Sequence, residues 1–356
     1  PAEEDLWRIP DPSYDANGKL QGARRFLNNN REELLLSDDP DSVTHYEEEC
    51  RTFPLEFSEC FITAGSGTGL NLKIITKRIR EIQFDDTLTV RGNFVPINPN
   101  DSHSDIKWVP DPVRGKFVVS HLLPPQEANK RFTMKMTVDG LIKDVFCPIN
   151  ANKFTASGDP YSFRKTESGR MSYGGGAVWW NHDPMIDPPT KHIDEWITNR
   201  TICTYKYRPL SPDDYAEDML RMCIYYGAMM FPEINVPLIW DHFIRRGYYG
   251  YLKFERLPLG GYKKTPGFYA KGANQQKLFQ KHQEFIETHG MREQHMEILE
   301  EQKSIKSLDD LKNHDLFVAV GGAMLGAESD YGRKIVMLND DSAEDISDFV
   351  QPRYYE

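Results

Sequence analysis

Three acids constrain this chain more than any other feature. Asp159 stands in Ser157-Gly158-Asp159-Pro160-Tyr161, Glu233 in Met230-Phe231-Pro232-Glu233-Ile234-Asn235, and Asp315 in His314-Asp315-Leu316-Phe317. Each sits where an apolar run meets a turn or a helix start. They lie too far apart in sequence to form a local motif, so only a folded domain can bring them together. A carboxylate cluster of that kind binds hard divalent ions such as Mg²⁺, which is the chemistry of metal-dependent phosphoryl transfer.

At 356 residues the chain has room for two or three domains. Its 39% hydrophobic and 12% aromatic residues suit packed cores. No apolar run has the length of a membrane span, and no signal-peptide pattern opens the chain. Residue 1 is Pro rather than Met, so the sequence reads as a fragment or a processed chain with room for a further domain upstream. Cys50, Cys60, Cys147, Cys203 and Cys223 are scattered singly with no CxxC pair, a pattern of buried, reduced thiols in a reducing cytoplasm.

The net charge of −11 argues against a generic nucleic-acid binder, which is usually basic. Residues 241–281 reverse that balance locally. Arg245, Arg246, Lys253, Arg256, Lys263, Lys264, Lys271, Lys277 and Lys281 stand there against only Asp241 and Glu255, with Tyr248, Tyr249, Tyr251, Phe254, Tyr262, Phe268 and Tyr269 interleaved. Such a segment either tracks a phosphate backbone or is a solvated surface over ordinary core aromatics. The segment alone leaves both readings open.

Along the chain, residues 1–70 are partly irregular, with a short helix within Arg24 to Leu36 and two short elements, split by Pro54, over Tyr46 to Phe61. Gly65-Ser66-Gly67-Thr68-Gly69 lacks the Gly-Lys-Ser/Thr ending of a phosphate loop and reads as a connector. Residues 71–150 comprise a helix, with Leu72, Ile75, Ile79 and Ile82 on one stripe, and a small β-rich linking module. In that module the runs Leu88 to Val90, Lys107 to Val109, Lys116 to Val119 and Phe132 to Val138 alternate with turns.

From 151 to 340 the pattern is α/β. Strands are expected over Lys153 to Asp159, after Gly174-Gly175-Gly176, over Thr201 to Arg208 and over Ala228 to Phe231. Helices are expected after Ser211-Pro212, over Val236 to Arg246, over Gln275 to Thr288 and over Asp315 to Gly326. Ser307-Leu308-Asp309-Asp310 has capping-box spacing. Residues 341–356 form an acidic tail.

Strand, strand, strand, helix, strand, helix and then a late acid-bearing helix is similar to the order of an RNase H-like domain, a mixed central sheet flanked by helices. In such folds one acid ends the first, central strand, a second ends the strand after the first helix, and a third comes from the last helix. Asp159, Glu233 and Asp315 occupy those places. Hydrolysis of a phosphodiester sets an attacking water and a leaving oxygen on opposite sides of phosphorus, and two metal ions about 3.5–4 Å apart can stabilise both. Each acid also has a plainer reading, Asp159 as a turn residue before Pro160, Glu233 and Asp315 as charges at helix N-termini. His182, Asp183 and His314 are candidate outer groups.

The residues around the acids resemble the nuclease motifs of the large terminase subunit of tailed double-stranded DNA phages. Gly158-Asp159-Pro160-Tyr161, then Phe231-Pro232-Glu233-Ile234-Asn235 with Asn235 in the family's E-x-N habit, then His314-Asp315-Leu316 follow its order and spacing. Arg246-Gly247-Tyr248-Tyr249-Gly250-Tyr251-Leu252 resembles the segment after the second motif, and Pro54, Glu59 and Phe61 resemble the P-x4-E-x-F element near the end of the family's ATPase domain. The likeness spans roughly 46–330. Leu316 stands where the family often has a second acid, and the Walker motifs are missing, so ATPase activity is not expected of this chain.

The resemblance implies an endodeoxyribonuclease with two divalent ions, Mg²⁺ or Mn²⁺, held by Asp159, Glu233 and Asp315. His314 and Asn235 would lie behind them, and Lys263, Lys264, Lys271, Arg245 and Arg246 would contact DNA. The segment 257–272 would form a β-hairpin gating the site. It implies a protein of the infected bacterium's cytoplasm, off the membrane, that cuts concatemeric double-stranded DNA during genome packaging alongside the portal protein and the small terminase subunit, with homo-oligomers open to the full-length protein. Two alternatives remain: another RNase H-like DNA enzyme (transposase, integrase or junction resolvase), and a non-catalytic structural or adaptor protein of the virion, which the acidic net charge favours.

Overall fold

Strands buried on both faces must be covered on both sides, and residues 154–158 and 174–180 are buried throughout. The computed structural model describes residues 13–14, 20–37, 39, 42–55, 69–161, 173–257, 260–305, 307–328 and 331–333. Glu59 and Phe61, the glycine cluster up to Thr68, Cys60 and the acidic tail therefore lie outside the described residues.

The chain opens with a two-stranded ribbon, β1 (Ser13–Tyr14) and β2 (Leu20–Gln21), and three helices, α1 (Ala23–Leu36), α2 (Ser42–Thr52) and α3 (Leu72–Ile82). Strands β3 (Val90–Pro96), β4 (Ile106–Pro110), β5 (Phe117–Val119), β6 (Arg131–Val138), β7 (Leu141–Pro148), β8 (Phe154–Asp159), β9 (Gly174–Trp180) and β10 (Arg200–Tyr207) follow. Then come α4 (Pro212–Tyr226), β11 (Met229–Met230), α5 (Leu238–Arg245), β12 (Lys253–Glu255), α6 (Ala273–His289), α7 (Met296–Ser304), α8 (Asp315–Gly326) and β13 (Tyr331–Arg333).

The fold is mixed α/β. Seven strands form one sheet in the order β11-β8-β9-β10-β5-β3-β4, with β11 parallel to β8 and the remaining pairs antiparallel. The sequence reading places residues 86–150 in a linking module ahead of the α/β region. In the structure β3, β4 and β5 instead extend the same sheet, because Cys203, Thr204 and Tyr205 of β10 pair with Val119, Val118 and Phe117. Phe94, Ile106 and Phe117 thereby enter the core that holds Val178, Cys203 and Tyr225. Only β6 and β7 stand apart, as a hairpin closed by Asp139 and Gly140 with φ of 52° and 77°. Those signs are what a two-residue Asp-Gly turn requires.

Successive strand residues point to opposite faces. Ala156 of β8 and Val178 of β9 meet Met219, Leu220 and Met222 of α4, and Gly158 abuts Ile239 of α5. Thr155, Ser157 and Asp159 point the other way, as do Gly175, Ala177 and Trp179, and that face is covered by α8. Helix α4 starts as its sequence directs: the Ser211 side chain accepts from the Asp213 N–H, and Gly227 ends it at φ 64°. Helix α8 is buried from Leu316 to Gly326, so small residues on every side suit it. The capping-box spacing at 307–310 forms no capping box. Leu308–Asn313 is a 3-10 turn in which the Asp310 N–H returns to the Ser307 carbonyl, and the Ser307 side chain makes no cap bond.

Helix α8 comes nearest to the sheet at Gly175, where an added Cβ would stand 2.1 Å from the Asp315 carbonyl oxygen. Gly175→Ala is therefore expected to lower the unfolding free energy in a urea titration by about 1–3 kcal/mol, the range for overpacking. An unchanged midpoint would mean that α8 lifts off the sheet freely.

Candidate acidic site

Asp159 is the last residue of β8 and pairs with Gly175. Because Gly175 has no side chain, the first turn of α8 sits directly on it, which brings Asp315 beside Asp159. From the opposite face the Tyr215 hydroxyl donates to the Gly175 carbonyl at 2.6 Å, clamping the same peptide from beneath. Asp315 is the first residue of α8, and its Oδ2 accepts the Tyr173 N–H at 2.9 Å.

Glu233 arrives along the other edge of β8. Past β11 the parallel ladder continues, with the Phe231 N–H on the Ala156 carbonyl and the Glu233 N–H on the Gly158 carbonyl. Phe268 bonds to the far side of this segment, donating to the Pro232 carbonyl and accepting from the Ile234 N–H. The Glu233 side chain is 2% exposed. Its Oε2 accepts the Asn235 N–H at 3.0 Å and its Oε1 the Ala270 N–H at 3.4 Å. Asn235 thus acts on the acid through its backbone.

The three acids share one electrostatic field. Burial raises the Asp159 carboxyl well above the usual carboxylate range, and the charges of Asp315, Glu233 and Glu301 raise it further. Burial likewise pushes Glu233 up to about 7, against the pull of the Asn235 and Ala270 amides and the Lys271 charge. Glu301, in α7, is a fourth acid that the sequence did not reveal; it is 4% exposed and accepts the Phe317 N–H at 2.8 Å. Lys206 of β10 pairs with it at 2.6 Å.

The other sequence candidates are distributed unevenly. Lys271 is exposed and its charge reaches Glu233. Lys264 is exposed, and Lys263 pairs with Glu255. In the segment 257–272, apart from residues 258–259, which lie outside the description, Arg256 bridges Tyr262 and Phe268 bridges Glu233. Arg245 pairs with Asp213, and Arg246 with Glu217 and the Ser102 carbonyl, so both are engaged in the α4–α5 layer on the opposite face from Asp159. His314 precedes α8, accepts the Val318 N–H on its carbonyl, and holds its ring 3.7 Å from Asp310. His182 stacks on Trp196, and Asp183 accepts the Met185 N–H.

Among the described residues no three His, Cys, Asp or Glu side chains are grouped so that they could hold a metal ion. The donors nonetheless suit a hard cation: all three are carboxylates, Asp159 and Glu233 resist ionisation, and Mg²⁺ is commonly held by one or two carboxylates with substrate phosphate and water completing the shell. No helix among the described residues is long and apolar enough to cross a membrane. Searched against models of protein families and against curated proteins, the chain matches none.

The Glu233 shift fixes a sign. A carboxyl whose pKa is raised on folding favours the folded state fully below its unfolded value of 4.5, and this contribution is lost as pH rises through about 7. Without divalent ions, stability is expected to fall across that window, by about 3 kcal/mol from Glu233 at 1.36 kcal/mol per unit. Glu233→Gln should flatten the fall in urea titrations from pH 4.5 to 8; an equally steep fall in that variant would remove Glu233 as its source.

Proposed function

We propose that the chain is a metal-dependent endonuclease that cuts double-stranded DNA, of the kind found in the large terminase subunit of tailed phages. One observation carries the reading: Asp159, Glu233 and Asp315 come from a strand end, the segment after a parallel strand and a helix start, and meet in one field on one face of the sheet. The β11-β8-β9-β10 order, with one parallel and two antiparallel pairs, and the parallel bridge from Met230 to Leu252 beyond it support an RNase H-like arrangement.

In this reading Asp159, Glu233 and Asp315 would hold two Mg²⁺ or Mn²⁺ ions, which would supply an activated water and charge stabilisation for the leaving oxygen. The chain's own residues set the stage. Gly175 and Tyr215 fix the peptide between Asp159 and Asp315. The Asn235 and Ala270 amides orient the Glu233 carboxylate. Lys264 and Lys271 offer exposed ammonium groups, and Tyr269, 53% exposed, offers a ring for stacking. The setting would be genome packaging in an infected bacterium, beside the portal protein and the small terminase subunit.

Supercoiled plasmid incubated with Mg²⁺ or Mn²⁺ is expected to be nicked and linearised, and chelation should stop it. Asp159→Asn should lower the rate at least about a hundredfold, the worth of several kcal/mol of lost charge stabilisation, with the fold retained by circular dichroism. Full activity in that variant would sink the reading. A strong preference for four-way junctions, or strand-transfer products, would redirect it to a resolvase or transposase.

A further inference from the structure

Residues directly opposite one another in neighbouring strands point to the same face. One such row crosses three strands at the level of the acids: Asp159 of β8 pairs with Gly175 of β9, and Gly175 pairs with Lys206 of β10. With strands about 4.8 Å apart, the backbones of Asp159 and Lys206 stand about 10 Å apart, and the Asp315 carbonyl sits on the glycine between them. The register that delivers Asp159 to the site therefore delivers a lysine as well.

The Lys206 ammonium lies 2.6 Å from Glu301 Oε1, while Glu301 Oε2 accepts the Phe317 N–H in the first turn of α8. The two partners differ in freedom. The Glu301 side chain is 5% exposed and held by a backbone donor, whereas the Lys206 side chain is 35% exposed. An ammonium has three donors, and among the described residues Glu301 is the partner it meets. Lys206 also lies within reach of the Asp315 charge. Pinning Glu301 requires neither an open ammonium nor a shared register with Asp159; recognising an anion at the acids requires both. A phosphodiester entering a field of four carboxylates meets repulsion, and a cation in the same row offsets it.

We propose that Lys206 is a substrate-contacting residue whose ammonium binds a non-bridging oxygen of the phosphodiester lying at Asp159, Glu233 and Asp315, with Glu301 holding the lysine in place. This rests on the nuclease reading.

The test is binding of a fluorescent DNA duplex by the full chain carrying Asp159→Asn, across a salt series, alone and combined with Lys206→Gln or Lys206→Arg. Glutamine keeps a donor to Glu301 and loses the charge; arginine keeps both. Lys206→Gln is expected to weaken binding about tenfold at low salt and to flatten the slope of log affinity against log salt by about 0.9, the value of one lost phosphate contact. Lys206→Arg should keep the slope. In the cutting-competent chain Lys206→Gln should raise KM more than it lowers kcat. Parental slope and affinity in Lys206→Gln, together with a lowered melting temperature, would assign the lysine to pinning alone and overturn the proposal. If the parent cuts DNA and Lys206→Gln cuts and binds as the parent does, only this inference falls. If the parent neither binds nor cuts duplex DNA, the nuclease reading falls and takes this inference with it.

Discussion

The contact between Gly175 and the Asp315 carbonyl sets the geometry of everything around it. A side chain at 175 would hold the start of α8 away from the sheet, and the contact recurs further along the helix, where Gly322 sits over Ser157 and the Phe268 ring. Close approach has two consequences. It buries the α8 face of β8 and β9, where small side chains at Ala177, Ala319 and Ala323 leave room for the approach. It also carries the helix N-terminus to the end of β8, where acids gather. That terminus has orphan N–H groups and the positive end of the helix dipole. The Phe317 N–H is satisfied by Glu301, so part of the negative charge in the site is held by the helix itself.

The other end of α8 is complemented in the opposite sense. Lys253, on β12, is 3% exposed and donates to the Gly326 carbonyl and to the Thr155 hydroxyl. Burial, with the charge of Arg256 adding to it, pulls its ammonium down to about 7. A buried lysine is costly anywhere else; at the C-terminal carbonyls of a fully buried helix it meets the groups that most need a donor. The helix that positions Asp315 is thus pinned by a carboxylate near its start and an amine at its end, and its small-residue surface has little freedom to slide between them. In the first turn His282 adds a further tie, its ring stacked on Phe317 and bonded to the Phe317 carbonyl, with Gln302 behind it.

The parts of this arrangement legible in the sequence are those written in local signals. The run ending at Asp159 is bounded by Pro160, α4 announces itself with Ser211-Pro212 and Gly227, and the small-residue pattern of α8 matches its observed bounds at Asp315 and Gly326. The Asp139-Gly140 turn is equally legible as a two-residue hairpin signal, and it returns the chain into β7. What could not be read depends on non-local pairing. The attachment of β3 to β5 follows from the edge of β10, not from their own composition. Lys206 reaches the acids only through a register that includes a shift between Thr201 and Cys203. Arg245 and Arg246 count as free charge in the sequence, whereas Asp213 and Glu217 of another helix engage them.

The same acids that define the site oppose the fold that presents them. Asp159 and Glu233 resist ionisation because burial and one another's charge penalise it, so near neutral pH the bare cluster retains protons that isolated carboxylates would have lost. Any cation that settles among them must displace those protons, and any anion must approach against the charge that remains. Both requirements favour a ligand pair of opposite sign arriving together, a cation with a phosphate, over either alone. On the proposed nuclease reading, Lys206 and Lys271 would matter for where they stand and not for their number: in a chain of net charge −11, an anion approaching the acids would depend on the positive groups nearest to them.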